Sequence, residues 1–478
     1  MYLRERGEPE KEPGDFQQLL FDLGDRHEQA HRATLPDVVD LSAGTEEERI
    51  RRTKQAVLQG ATVLYQPFLR ATARLDGEEV QIVGSPDFLI RVGDTSDYVI
   101  RDSKLAKRVK AHPEILRQLE LYGWLYEHTF GRRPLGLEVH NGAGDIVPVA
   151  YDRGNAALAV LRKIIALRRA EEEPYSPVGW SKCADCGFRE RCWYPAVERH
   201  DVAVVVGVDQ GLAIRLRDEG VETMEDLLAG FDQDRLSHTR YSQRSGRTRV
   251  VGDTEAAAIL RMARSQAFGE EILLDKPDLP DCRNYVMFDI EGLPPLIDEL
   301  DKMYLWGLQV FGEEPSEFLA ATASPGEDGD RDAWFAFLGI ADDLFARYGD
   351  LRFVHWHVYE RTHLDMYVER FGDLSGTAAR IRKNLLDLHK VTTDAGALPV
   401  PSYSLKVIEG YVGFVRSQTE YGGDWAMAEY IKAVETEDDA RRREVMDAIL
   451  LYNREDLEAT WSVLQWLRAK APRFVDPD

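Results

Sequence analysis

The stretch richest in chemistry is YVMFDIEG, where Asp289 and Glu291 stand two apart on a predicted strand. A strand repeats its faces every second residue, so both carboxylates share one face. The run before Asp289 is apolar, so the strand reads as buried and delivers its acids to a sheet end. Farther on, LYNREDLEATW sets Tyr452 and Asp456 four apart on a predicted helix, again on one face. Between them, FVHWHVYERTHL reads as a strand followed by a helix start that carries Glu360. Carboxylates from a strand, a loop and a helix can converge on two divalent ions. Such ions clamp the attacking and leaving oxygens of a phosphodiester, about 4 Å apart. Hard oxygen donors suit Mg²⁺ or Mn²⁺.

Taken in order, D-x-E, a middle acid and Y-x-x-x-D resemble the DEDD exonuclease pattern. The segment is similar to the RNase H-like exonuclease domain found fused to RecB-like nucleases. That resemblance implies catalytic, metal-binding roles for Asp289, Glu291, Glu360 and Asp456. Glu360 stands where the family has Asp, which lengthens that ligand by one methylene. Tyr452 implies the variant in which a phenol orients the attacking water. Lys406, in PSYSLKVIEGYVGF, would contact the scissile strand, and Asp387 in LLDLH would be an accessory acid.

A second constellation lies nearer the N-terminus. GSPDFLIRV puts Asp87 on a strand after a turn, and in YVIRDSK the residues Asp102 and Lys104 share a strand face. A carboxylate pair holds a metal, and a lysine beside it steadies developing negative charge or positions water. RQLELYGWLY sets Gln118 and Tyr122 four apart on a helix, and LGDRHEQAH offers His27 on another. His, G-x-x-D, D-x-K and Q-x-x-x-Y, in that order, resemble the PD-(D/E)xK nuclease domain of RecB, AddB and the iron–sulfur nuclease of CRISPR adaptation. The resemblance makes His27, Asp87 and Asp102 metal ligands and Lys104 catalytic, with Gln118 and Tyr122 on the substrate strand. HEQAH also matches H-E-x-x-H, the zinc metalloprotease signature. That alternative leaves Asp87, Asp102 and Lys104 idle and turns on Glu28.

Cys183, Cys186 and Cys192 form C-x-x-C-x5-C, a spacing that points to a metal centre in a reducing compartment. In the RecB-like relatives such a trio joins an N-terminal cysteine to hold a [4Fe–4S] cluster. Here that cysteine is absent and the fourth, Cys282, lies far along the chain. The relatives place the missing cysteine just before a comparable Y-L stretch, which implies a start upstream of Met1. Zinc held by three cysteines and a histidine such as His200 is the alternative.

These residues need elements to carry them. At about 150 residues per domain, 478 residues suggest three segments. Residues 1–198 read as a restriction-endonuclease-like domain ending in the cysteine knot. Residues 199–280 read as a small helical, helix-hairpin-helix-like segment, and residues 281–478 as an RNase H-like domain, so the class is α/β multidomain. In the middle segment, GLAIRLRDEGVETMEDLL reads as two short helices. Gly220 would take the left-handed cap, and Thr223 would N-cap the second helix with Asp226 at N3. GEDGDRD, 326–332, reads as a surface loop.

No apolar run approaches the roughly 18 residues of a membrane span. The opening MYLRERGEPEKEPGD has no signal-like apolar core, and four cysteines are too few for a disulfide framework, so the chain reads as cytoplasmic. A net charge of −24 argues against electrostatic wrapping of nucleic acid but suits carboxylate metal sites. The expectation is a metal-dependent nuclease acting on DNA, with RNA as the other substrate, in repair, recombination or defence. A DNA-binding scaffold with degenerate metal sites is the alternative from another class. Polarity, pathway, oligomeric state and protein partners leave no mark in the sequence.

Overall fold

The computed structural model describes residues 2–93, 95–184, 186–243, 247–293, 302–324, 326–418 and 422–470. Met1 lies outside them. The chain divides into two compact units. One is centred on Gln17–Pro174; the other contains Glu10–Phe16, Tyr175–Leu293 and the chain from Lys302 onward.

The first unit carries a mixed six-stranded sheet. Its order is Val38–Asp40, Val63–Tyr65, Phe88–Arg91, Tyr98–Ser103, Gly136–His140 and Ile146–Val149. The central strands are apolar and buried, with Phe88, Leu89, Ile100 and Val139 all fully enclosed. Helix Pro113–Phe130 packs on this core through Leu119, Trp124 and Leu125. Gly84 permits the fit. A Cβ there would stand 2.8 Å from Leu125 and 3.0 Å from Tyr122. The glycine of G-x-x-D therefore lets the helix that carries Tyr122 approach the hairpin leading to Asp87. Helix Glu46–Leu58 opens on a capping box, Thr45 with Glu48, which satisfies end N–H groups that would otherwise lack partners.

The second unit is built on a five-stranded sheet in the order Leu319–Thr322, Met303–Gly312, Asn284–Gly292, Arg352–His355 and Leu385–Asp387. The first three strands pair antiparallel, and the last two run parallel to Asn284–Gly292. That strand is covered on both faces, which explains its unbroken apolar run. Val286, Phe288 and Ile290 join a core with Trp306, Trp334 and Phe337. Tyr285 and Met287 point into another core, with Leu457 and Val463 of helix Asp439–Lys470. By the same alternation Asp289 and Glu291 share the face of Tyr285 and Met287.

The two short helices of the middle segment form as expected. They span Gln210–Asp218 and Met224–Gly230, with Gly220 at φ 81° and a Thr223–Asp226 capping box. A two-stranded ribbon, Arg240–Ser242 with Thr248–Val250, was not foreseen. The cysteine-bearing stretch packs in the same core, through Val178, Cys183 and Trp193.

One expectation is corrected. Residues 326–332 are not a surface loop but the start of helix Gly326–Tyr348. Acidic side chains suit a helix N-terminus, where unpaired N–H groups favour negative charge. Asp330 is fully buried, accepting from the Tyr367 hydroxyl and from Arg370 at 3.0 Å. An acid with two such partners is an anchor, although locally it reads like a loop residue.

Candidate functional site

In the second unit, Asp289, Glu291 and Asp456 bring carboxylate oxygens within 4.8 Å of one another. Among the described residues, no other group of three or more His, Cys, Asp or Glu side chains is gathered so closely. The trio lines a cavity of about 410 Å³ together with Glu360, Tyr452 and Lys406, whereas Asp387, the remaining acid singled out in this segment, is not in its lining. Four elements of the fold supply the trio, Glu360, Tyr452 and Lys406. Asp289 and Glu291 end the central strand, Glu360 is in the first turn of helix Tyr359–Phe371, and Lys406 opens helix Leu405–Tyr411. Tyr452 and Asp456 sit one turn apart on helix Asp439–Lys470.

So many acids in one place resist ionisation. Loss of water, then the charges of Asp456 and Glu360, holds Asp289 well above the usual carboxylate range. Loss of water and then Asp289 and Asp456 do the same to Glu291. Burial pushes Glu360 up to about 8, and Asp456 is also raised despite Arg416 beside it. Oxygen donors alone, crowded enough to hold protons, are the donor set that a hard divalent cation relieves.

Three neighbours had no signal in the sequence. Arg416 donates to both Glu409 oxygens at 2.6 Å and also to Asp456, so it fixes the helix carboxylate from behind. Asn453 donates to Asp289 at 2.6 Å. Gly307 pairs with Asp289 in the sheet, and a Cβ on it would lie 1.8 Å from the Asn453 side-chain oxygen. Asp387 caps helix Leu388–Ala395 and accepts the His357 N–H at 3.1 Å. Lys406 Nζ lies 5.5 Å from the centre of the Tyr452 ring, whose hydroxyl is pushed well up, first by burial and then by Asp456.

The first unit holds its own charged centre. Asp102 binds Lys104 Nζ at 2.9 Å and accepts the Asp87 N–H at 3.0 Å, while Asp87 accepts the Ser103 N–H at 2.7 Å. Burial first, then Asp102 and Glu28, raises Asp87 to about 8. Burial opposes the charge on Lys104, but Asp102, Asp87 and Glu28 together outweigh it and the ammonium is raised. Gln118 donates to the Tyr122 hydroxyl at 2.8 Å, and Tyr122 feels Asp102 and Asp87.

His27 is placed differently from the other residues of this set. Its ring stacks on His140 at 4.4 Å, and its Nε2 lies 3.4 Å from the His140 carbonyl, which also accepts the Lys104 N–H. The residue of this helix that faces Asp87 is Glu28. Gln66 links the two, donating to Glu28 at 2.9 Å and to Asp87 at 3.2 Å from a strained backbone (φ 51°). The other imidazole of HEQAH, His31, stacks on His140 at 3.8 Å and has Arg101 3.3 Å from its Nε2. Burial, then His140 and Arg101, lowers its pKa to about 4. A cation at a ring nitrogen is the opposite of what a zinc ligand needs.

Of the cysteines, Cys183 is buried, Cys186 exposed, and Cys192 and Cys282 half-buried. His200 bonds Glu225 at 2.6 Å.

Residues 3–193 match the family model of the PD-(D/E)XK nuclease superfamily, and residues 286–468 match that of the RNase_H superfamily. The chain thus joins a PD-(D/E)XK nuclease-superfamily domain to an RNase H-superfamily domain, an α/β architecture that supports a phosphodiester hydrolase. A solved structure titled "Crystal structure of SSO0001" is similar over 37% of this chain and 96% of its own, at 14% identity and a TM-score of 0.20. No curated protein matches the chain. Among the described residues no helix is long and apolar enough to cross a membrane.

Proposed function

We propose that the chain is a metal-dependent deoxyribonuclease with two centres, an exonuclease in the RNase H-like domain and a second nuclease in the PD-(D/E)xK domain. The observation that carries this reading is the cavity in which Asp289, Glu291 and Asp456 converge with Glu360, Tyr452 and Lys406. Asp289, Glu291, Glu360 and Asp456 would hold Mg²⁺ or Mn²⁺. The metal would supply Lewis acidity to the phosphodiester and acidify the attacking water. The Tyr452 phenol orients that water, and Lys406 places its charge against the scissile strand. Arg416 and Asn453 keep two of the carboxylates in register.

In the other centre Asp87 and Asp102, with Glu28 linked through Gln66, are the metal-holding group, and Lys104 meets the developing negative charge. Gln118 and Tyr122 line the path of the strand. DNA is the substrate this reading favours. We assign the work to DNA repair, recombination or defence in the cytoplasm. The cysteine trio is assigned a structural iron–sulfur or zinc centre.

The test is degradation of end-labelled single- and double-stranded DNA, and of RNA, in Mg²⁺ and in Mn²⁺, with each centre disabled alone. Asp289→Ala or Asp456→Ala should each remove one metal-dependent exonuclease activity, because the ligands act as one unit. If both variants still degrade nucleic acid as the parent does while Asp87 is also replaced, the exonuclease assignment fails.

A further inference from the structure

The acidic cavity does not end at its carboxylates. Trp180, Trp356 and Ser404 line it and also line a neighbouring hollow of about 650 Å³. Six rings stand in the wall of that hollow, Trp180, Trp193, Trp356, His357, His389 and Tyr403, beside the apolar run from Ala203 to Val208. Both hollows lie within the second unit. Trp193 and Tyr403 are buried, as core aromatics are, but Trp180, Trp356 and His389 are only half-buried and His357 is exposed. Trp356 is braced by its indole N–H on the Tyr403 carbonyl at 3.1 Å, and His357 and His389 meet edge to face at 4.6 Å. His357 is at φ 72°, in the left-handed region that few residues other than glycine adopt.

Cationic groups stand where the rings meet the acids. Arg189 lies over the Trp180 ring at 4.8 Å and lines the acidic cavity, as does Lys406. Trp180, Arg189 and Trp193 all belong to the cysteine-bearing stretch, which precedes the residues matched by the RNase H-superfamily model and ends those matched by the PD-(D/E)XK model. This part of the wall therefore comes from outside the RNase H-superfamily match, although it packs in the second unit.

We infer that the ring-lined hollow is a stacking site for the unpaired bases of a single-stranded nucleic-acid end. Trp180, supplied by the cysteine-bearing stretch, would be the positioning residue that feeds the end to the acids. The inference rests on the acidic cavity being a phosphodiesterase site. Rings take any base through its π face, and cations track the phosphates, which is the chemistry of single-strand recognition. Bases paired in a duplex do not present those faces. The hollow is large enough for a nucleotide-sized ligand and opens onto the reacting groups.

The experiment uses the full chain with Asp456→Asn, so that binding is read without cutting. The probe is a short oligodeoxythymidylate carrying one 5-iodouracil, with Ca²⁺ present. Irradiation should link the iodouracil to peptides containing Trp180 or Trp356. Adding Trp180→Ala should weaken binding of the single strand on the order of ten-fold, with Trp180→Phe restoring most of it. Blunt duplex should compete poorly. Cross-links confined to other peptides overturn the inference, as does Trp180→Ala binding as tightly as its parent. Cross-linking needs no ring removed, so it decides the matter even if Trp180→Ala misfolds. Failure of the phosphodiesterase reading looks different: the unsubstituted chain would then hydrolyse no nucleic acid in Mg²⁺ or Mn²⁺, whatever it binds.

Discussion

Stripping metal from this protein should make its stability fall as pH rises through neutrality, and Mg²⁺ should reverse the fall. Glu360 and Asp87, one in each unit, are held at about 8 against ordinary values of 4.5 and 3.8. Near pH 7 each is protonated in the folded chain and ionised in the unfolded one, so the folded state binds the extra proton. Stability present at low pH is therefore lost as pH rises through the folded pKa. Between pH 7 and 8 a group with a pKa near 8 loses about 1 kcal/mol, somewhat under the 1.36 kcal/mol of a full unit because it is half titrated at the upper end. The buried histidines His31 and His140, lowered to about 4, work in the opposite sense, but only below their unfolded value of 6.5. Above pH 7 the carboxyls are left to act. Calorimetry in EDTA should show each unit melting roughly 2–4 °C lower at pH 8 than at pH 7. Saturating Mg²⁺ should restore more than is lost, about 2.7 kcal/mol at a hundred times its dissociation constant. Glu360→Gln should lessen the dependence of the second unit, where Asp289, Glu291 and Asp456 also stay raised, and Asp87→Asn should flatten that of the first. Stability in EDTA that is flat or rising over this interval, with no response to Mg²⁺, would refute the reasoning.

Lys104→Ala should stop cutting at the first centre while metal affinity survives, whereas Asp87→Ala should weaken the metal itself; equal loss of affinity in titrations of both would sink that division. Glu28→Ala should lower metal affinity at the same centre by more than His27→Ala does, since Glu28 faces Asp87 and His27 stacks on His140; isothermal titration with Mn²⁺ ranks them. Gly307→Ala should destabilise the second unit by roughly 1–3 kcal/mol, because its methyl would collide with Asn453; a melting temperature equal to the parent's would show that the helix moves aside without cost.

The acids were legible because chain geometry is periodic. Two residues apart on a strand, or four on a helix, is a statement about faces that needs no tertiary knowledge, and Asp289, Glu291, Tyr452 and Asp456 follow it. The same holds for Thr223 and Asp226, whose capping box is local. Where the burial of one side chain depends on a distant partner, the reading failed. Asp330 sits in a stretch that looks like a loop until Tyr367 and Arg370 close around it. Within HEQAH the sequence leaves open which side chain looks at Asp87; the rings of His27 and His31 both stack on His140, and Glu28 is linked to Asp87 through Gln66.

Asn453 and Gly307 show why the surroundings of the acids stay hidden longest. Asn453 is one residue from Tyr452, so the face rule that selects Tyr452 and Asp456 passes over it. Yet it is Asn453 that bonds Asp289, because the helix lies close enough to the sheet for its flank to reach the strand. It lies that close because the residue beside Asp289 in the sheet has no side chain. The glycine and the asparagine are far apart in sequence, and neither type carries a chemical signature. Their joint effect is to set the distance between a helix carboxylate and a strand carboxylate, and a divalent site depends on that distance. A site of this kind is written twice in the chain: once in acids that periodicity exposes, and again in small and neutral residues whose meaning appears only when the helix is laid on the sheet.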